Sequence, residues 1–217
     1  MKVIYDSSKS KIYKNGDKIY KFNCQSNSAN FQKEIRLYEK IKNKNIPNII
    51  KFSFYDEKIK MIEMDYYPYN IENYLADKYN IDISNTQINT IIYKIVFTLK
   101  TLHNNLIIHG DYKAKNMMLD RDFNLIIIDF DMSSCYDNNN ILESRISIEK
   151  INTEMKDDIK KLNFLIYQLL YKVEYKPKLY NNYNKMIETI KKDHFELASA
   201  MKNLNIDKIL SYFSKLI

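Results

Sequence analysis

The chain has 217 residues, of which 45% are hydrophobic and 28% charged, with a formal net charge of +7; this suits one globular unit, with room for two small lobes, rather than a disordered tail. No apolar run approaches the roughly 18 residues needed to span a bilayer, so no membrane role is expected, and the opening MKVIYDSSKSK lacks the apolar segment of a secretory signal. Two cysteines without a CxxC pair and three scattered histidines argue against a disulfide framework or a zinc site, and fit an intracellular, cytoplasmic setting.

Read in chain order, KVIYD (2–6) and KIYK (11–14) are β-prone and enclose the polar loop Ser7-Ser8-Lys9-Ser10. Asn15-Gly16 is a strong two-residue hairpin signal, with DKIYKF (17–22) as the return strand. A helix is expected over about 29–43, where Phe31, Ile35, Tyr38 and Ile41 recur on one face. Two β-rich runs, 49–55 and 59–65, meet at the polar DEK and predict a second hairpin.

Past Pro68 the chain turns helical, first over about 70–79 and then over about 84–104. Ser84 and Gln87 form a capping box at the second helix, and Ile88, Ile91, Ile92, Ile95, Leu99 and Leu102 make its core stripe. Short strands NMML (116–119) and NLIIID (124–129) follow, then a loop of some 25 residues. A further helix is expected from Asp157-Asp158, with two or three weaker helices after Pro177. The lysines are scattered, without a block of five or more, which reads as a solvated basic surface rather than a nucleic-acid groove.

The chemistry concentrates in IIHGDYKAKNMMLDRDFNLIIIDFD (107–131), where His109, Asp111, Lys113, Asn116 and Asp129 stand in fixed order with strand-forming filler between the last two. That order resembles the catalytic segment of the protein-kinase superfamily, and the phosphoryl transfer which the resemblance implies asks little covalent chemistry of a protein; it asks for positioning and for cancellation of phosphate charge. A carboxylate can orient an attacking hydroxyl and take its proton. An amide oxygen and a second carboxylate are hard donors of the kind Mg²⁺ prefers, and a short hairpin between them brings both to one end.

This stretch resembles the protein-kinase superfamily, whose catalytic loop H-R-D-x-K-x-x-N and metal loop D-F-G read HGDYKAKN and DFD here. The resemblance implies an α+β, bilobal protein-kinase-like fold in reduced form. A small β-rich lobe with one helix (about 1–66) would precede a mostly helical lobe (about 67–217). It implies ATP and Mg²⁺ as cofactors, with Asp111 and Lys113 catalytic and Asn116 and Asp129 on the metal. Lys21, on the third strand, would hold the α- and β-phosphates. Glu34 would pair with it, with Glu39 as the rival. The loop residues Ser7, Ser8 and Ser10 would approach the phosphates. Met64 would guard the back of the adenine pocket, and Asp65, Tyr66 and Tyr67 would offer backbone hydrogen bonds to adenine. Asp158 would buttress the catalytic loop, or act as a helix N-cap.

Three departures from the family pattern stand out. The phosphate loop has no glycine, since the chain has only Gly16 and Gly110. Asp131 stands where the family has the glycine of D-F-G; aspartate tolerates left-handed backbone better than most residues. No A-P-E is present, and the segment 132–155 carries Ser133, Ser134, Ser144 and Ser147, whose phosphorylation the sequence leaves open.

HGD with an acid after DF is also found in aminoglycoside and choline kinases, and HGD with NMML resembles the small kinase of the tRNA threonylcarbamoylation complex. Lys113 is the mark of Ser/Thr protein kinases. The expected function is therefore transfer of the ATP γ-phosphate to a Ser/Thr hydroxyl of a protein, with an acidic segment suited to the basic surface. A small-molecule phosphotransferase and a weakly active pseudokinase acting as a binding module are the alternatives.

Overall fold

The computed structural model describes residues 1–24, 28–136, 147–174 and 182–217. The first part is a five-stranded antiparallel sheet in the order β1-β2-β3-β5-β4. Its strands are β1 (Lys2–Asp6), β2 (Ser10–Asn15), β3 (Lys18–Asn23), β4 (Phe52–Asp56) and β5 (Met61–Asp65), with α1 (Ser28–Asn43) connecting β3 to β4. The remainder is mostly helical, so the fold is α+β, as a reduced kinase fold requires.

The first hairpin turns one residue later than Asn15-Gly16. Asn15 pairs with Lys18, which leaves Gly16 and Asp17 as the central residues. Gly16 takes φ +59 while Asp17 stays out of the left-handed region, the pattern of a turn with glycine in its first central position. The second hairpin is shorter than expected, because Ile49 and Ile50 leave it for the other lobe. Ile49 bridges to Ile127 in parallel, Ile127 N–H donates to the Asn48 carbonyl at 2.7 Å, and Ile50 N–H donates to the Ile127 carbonyl at 3.0 Å. Asn48 Nδ2 adds a hydrogen bond to Thr98 at 2.8 Å.

The chain leaves the sheet after Asp65. A two-residue strand β6 (Tyr69–Asn70) leads into α2 (Ile71–Leu75), which stops at Leu75 rather than near 79. Left-handed residues at Asp77 and Asn80 end the helical path there. The long α3 (Asn85–Asn104) starts at Ser84 with the expected capping box closed by Gln87. Its stripe is wholly inside: Ile92, Ile95, Leu99 and Leu102 are each at 0% exposure, and each such aliphatic contributes about 1.5–3 kcal/mol by burial. After α3 come β7 (Ile107–Ile108), β8 (Met117–Leu119), β9 (Leu125–Ile127) and β10 (Ser134–Cys135). β6-β8-β9 form one small sheet and β10-β7 another.

The helix expected from Asp157 begins at Ile148 and runs to Tyr171; we call it α4. Ser147 caps it, accepting from Lys150 N–H at 3.1 Å. Asp158 therefore lies well inside this helix and is not its N-cap. Three helices close the chain: α5 (Tyr183–Asp193), α6 (Phe195–Lys202) and α7 (Ile206–Ser214). Pro177 and Ser144 lie outside the described residues. Among the described residues, no helix is long and apolar enough to cross a membrane.

Candidate active site

The loop between β7 and β8 is built on a buried carboxylate. Asp158, with no exposed surface, accepts from His109 N–H at 2.8 Å, from Gly110 N–H at 3.0 Å, and from His103 Nε2 at 3.3 Å. Burial pushes its carboxyl up, but the hydrogen bond and charge of His103, with help from His109, hold it below the ordinary value. His109 is itself fully buried. Its Nε2 lies 3.2 Å from the Ile128 carbonyl, its ring packs on Phe130 at 4.7 Å, and burial lowers its basicity. It packs between its own loop and the DF segment.

Gly110 is required where it stands. Its φ is +78, and a Cβ there would collide with the Met132 carbonyl. The same carbonyl path brings Ser133 inside, where its hydroxyl donates to the His109 carbonyl at 2.8 Å. Ser133 has no exposed surface. The Lys161 ammonium donates to the Gly110 carbonyl, so α4 grips the loop at two points.

This scaffold presents three side chains together. Asn116 Nδ2 donates to the Asp111 carbonyl at 2.8 Å and to Asp111 Oδ2 at 3.0 Å, and Lys113 Nζ reaches Asp111 Oδ2 at 2.8 Å. Because Nδ2 of Asn116 is committed to Asp111, Oδ1 remains its hard donor atom. Strand pairing then sets the second donor. Met117 pairs with Ile127, and Ile128 N–H donates to the Asn116 carbonyl at 3.0 Å, which carries Asp129 to the same end. Asp129 takes a left-handed φ of +67; Asp131, where glycine was the family residue, does not.

Across from this loop, Lys21 Nζ lies 2.7 Å from Glu34, 2.6 Å from Asp131 and 4.0 Å from Asp129. Glu34 faces inward at 4% exposure, whereas Glu39 is exposed and receives Tyr55 OH at 3.4 Å. Burial pushes Glu34 up to about 7 against the pull of Lys21. At Asp131 burial also pushes upward, but the Lys21 charge overrides it and holds the carboxyl below its usual value.

The Ser7–Ser10 loop and the lobe connection hold some of their polar groups internally. Ser7 Oγ accepts from Lys9 N–H and Ser10 N–H and donates to the Ser10 carbonyl, so this hydroxyl closes its own turn. Ser8 is exposed and Ser10 buried. Met64 is buried and pairs with Ile19 and Phe52. Asp65 Oδ1 takes Lys18 at 2.7 Å, Tyr66 N–H donates to the Asp17 carbonyl at 2.9 Å, and Tyr67 is half-buried. The Tyr66 amide is thus already engaged, and the sequence offered no sign of this.

Among the described residues, no group of three or more His, Cys, Asp or Glu is placed to cage a metal by itself. The donor set instead fits Mg²⁺, which keeps several waters and substrate oxygens and takes one or two carboxylates. Asp129, at 41% side-chain exposure, and Asn116 Oδ1 match that chemistry.

The fold and these contacts together define a two-lobed, kinase-like protein. The sequence profile of the protein kinase domain matches residues 7–151, well over half the chain, and the chain belongs to that family. It is 32% identical over 135 residues, 60% of its length, to the dual specificity protein kinase zak2 of Dictyostelium discoideum. It is also 32% identical over 136 residues, 62% of its length, to the eukaryotic translation initiation factor 2-alpha kinase 2 of Plasmodium berghei. Over 91 residues, 40% of its length, it is 33% identical to the serine/threonine-protein kinase Nek8 of Danio rerio. These stretches make up 20%, 4% and 13% of the three relatives, so the chain spans a minor part of each.

Proposed function

We propose that the chain is an ATP- and Mg²⁺-dependent phosphotransferase that moves the γ-phosphoryl group to a Ser or Thr hydroxyl of a protein. The observation that carries this reading is the joined set Asp111–Lys113–Asn116. Asn116 Nδ2 fixes one Asp111 oxygen at 3.0 Å and Lys113 meets the same oxygen at 2.8 Å. Asp111 is 28% exposed at its side chain, so an acceptor hydroxyl can reach it. Its carboxylate would orient that hydroxyl and take its proton. Lys113 would then turn its charge to the phosphoryl oxygens in flight. Lys21, held by Glu34, would steady the phosphates on the nucleotide side, and Asn116 and Asp129 would hold the Mg²⁺. The metal supplies charge neutralisation on the phosphate oxygens.

Similarity to proteins named as dual specificity and serine/threonine kinases supports a protein acceptor, as does Lys113. An acidic acceptor segment suits a chain of net charge +7. The test is transfer of labelled phosphate from ATP to casein, and in parallel to kanamycin and choline, with Asp111→Ala as control. Labelling of casein that falls by about 10²–10⁴ in the variant, the size of a general-base contribution, is expected. Robust Asp111-dependent labelling of kanamycin or choline with none on protein would make this a small-molecule kinase instead.

A further inference from the structure

Lys21 is the only basic side chain within ion-pair distance of Glu34, Asp129 and Asp131 among the described residues. An ammonium has three donors, and at 9% side-chain exposure those of Lys21 face the carboxylates rather than water. Two contacts are short, to Glu34 at 2.7 Å and to Asp131 at 2.6 Å. They differ in kind. Glu34 is buried on α1, whereas Asp131 is 42% exposed at its side chain and sits outside any regular strand. Its backbone is not left-handed, so nothing in the chain path calls for glycine there; the added carboxylate is the difference from the family pattern. Asp129 and Asp131 outnumber the one ammonium at the point where phosphate oxygens would have to bind, whether or not Glu34, pushed up to about 7 by burial, carries its charge.

We infer that Asp131 is a counter-ion gate on Lys21, which makes nucleotide binding depend strictly on a divalent cation: it occupies the ammonium in the free protein and releases it only when a cation offsets its charge. This rests on the nucleotide-binding reading of the same site. A further feature supports it. The Ser7–Ser10 turn contributes no glycine backbone and uses the Ser7 hydroxyl internally, so it offers little to offset the carboxylates when metal is absent. Phosphates arriving without a cation meet a paired lysine and a net negative site.

The test is calorimetric titration with the non-hydrolysable analogue AMP-PNP, once in EDTA and once with Mg²⁺, on the wild type, Asp131→Asn and Asp131→Gly, each checked for folding by thermal melting. In the wild type, metal-free binding is expected to be at least about 100-fold weaker than binding with Mg²⁺. Both variants are expected to close that gap by about tenfold or more, chiefly by tighter binding in EDTA; tenfold corresponds to about 1.36 kcal/mol. Two variants of different backbone preference keep the result readable should one fold poorly. If nucleotide binds but the variants keep the wild-type gap, the gate is refuted and the nucleotide site stands. If no form binds nucleotide in either buffer, the gate and the site fall together.

Discussion

Replacing Asp158 with Asn keeps the shape of the side chain and removes its charge. In the structure this carboxylate accepts from His109 N–H, Gly110 N–H and His103 Nε2 at 2.8, 3.0 and 3.3 Å, with no exposure to water. Hydrogen bonds to a charged group contribute about 1.5–3 kcal/mol each. An asparagine retains one carbonyl oxygen, so it can keep one backbone donor and must set its own amide against the other. Relief from burying a charge offsets part of the loss. The expected destabilisation is about 3–5 kcal/mol, the range for removing one partner from a buried ionic cluster. For a domain of this size it should lower Tm by about 6 °C or more. Urea unfolding followed by circular dichroism measures it, with an unchanged slope showing that the unfolded reference has not moved. Hydrogen exchange at Gly110 should speed up by a comparable free energy. A loss below about 1 kcal/mol with the slope unchanged would show that the loop carrying His109 and Gly110 does not hang on Asp158.

The same variant carries a pH signature. Because the Asp158 carboxyl is held below its unfolded value of 3.8, its stabilisation is present above that pH and lost as pH falls through the lower folded value. The stability gap between wild type and Asp158→Asn should therefore shrink on acidification below about 3.8 in parallel urea titrations; a gap that stays constant would contradict the assignment. Gly110→Ala should destabilise by at least about 2 kcal/mol, since it combines a left-handed backbone, about 1–2 kcal/mol for an L-residue, with a clash against the Met132 carbonyl. Thermal melting checks it, and a change within the about 0.5 kcal/mol of a neutral surface substitution would mean that Met132 yields freely.

Local signals carried much of this fold. The Ser84–Gln87 capping box and the six-residue aliphatic stripe of α3 are complete within one segment, so sequence alone locates that helix. The inward phase of α1 follows from Phe31, Ile35, Tyr38 and Ile41, and that phase brings Glu34 rather than Glu39 to Lys21. The early start of α4 was hidden because its first turns bury little: Ile148 is 64% exposed and only Ile151 among the first several residues is inside. Without a stripe, the acidic pair Asp157-Asp158 looked like a helix start. Ile49 and Ile50 read as strand because they are β-branched neighbours of a strand, yet their partner is Ile127 in the other lobe. Likewise, the order His109–Asp111–Asn116–Asp129 was legible, but the Lys21–Asp131 contact joins residues 110 positions apart, and no local pattern announces it.

Residues 48–50 and Ile127 hold each other through two main-chain hydrogen bonds, which together make one parallel bridge, and Ile127 lies two residues ahead of Asp129. Asp129 thus follows a strand tied by main-chain bonds to the segment that enters β4, and β4 is joined through β5 to the strand that carries Lys21. One continuous run of backbone pairing therefore reaches from that carboxylate to the ammonium that faces it.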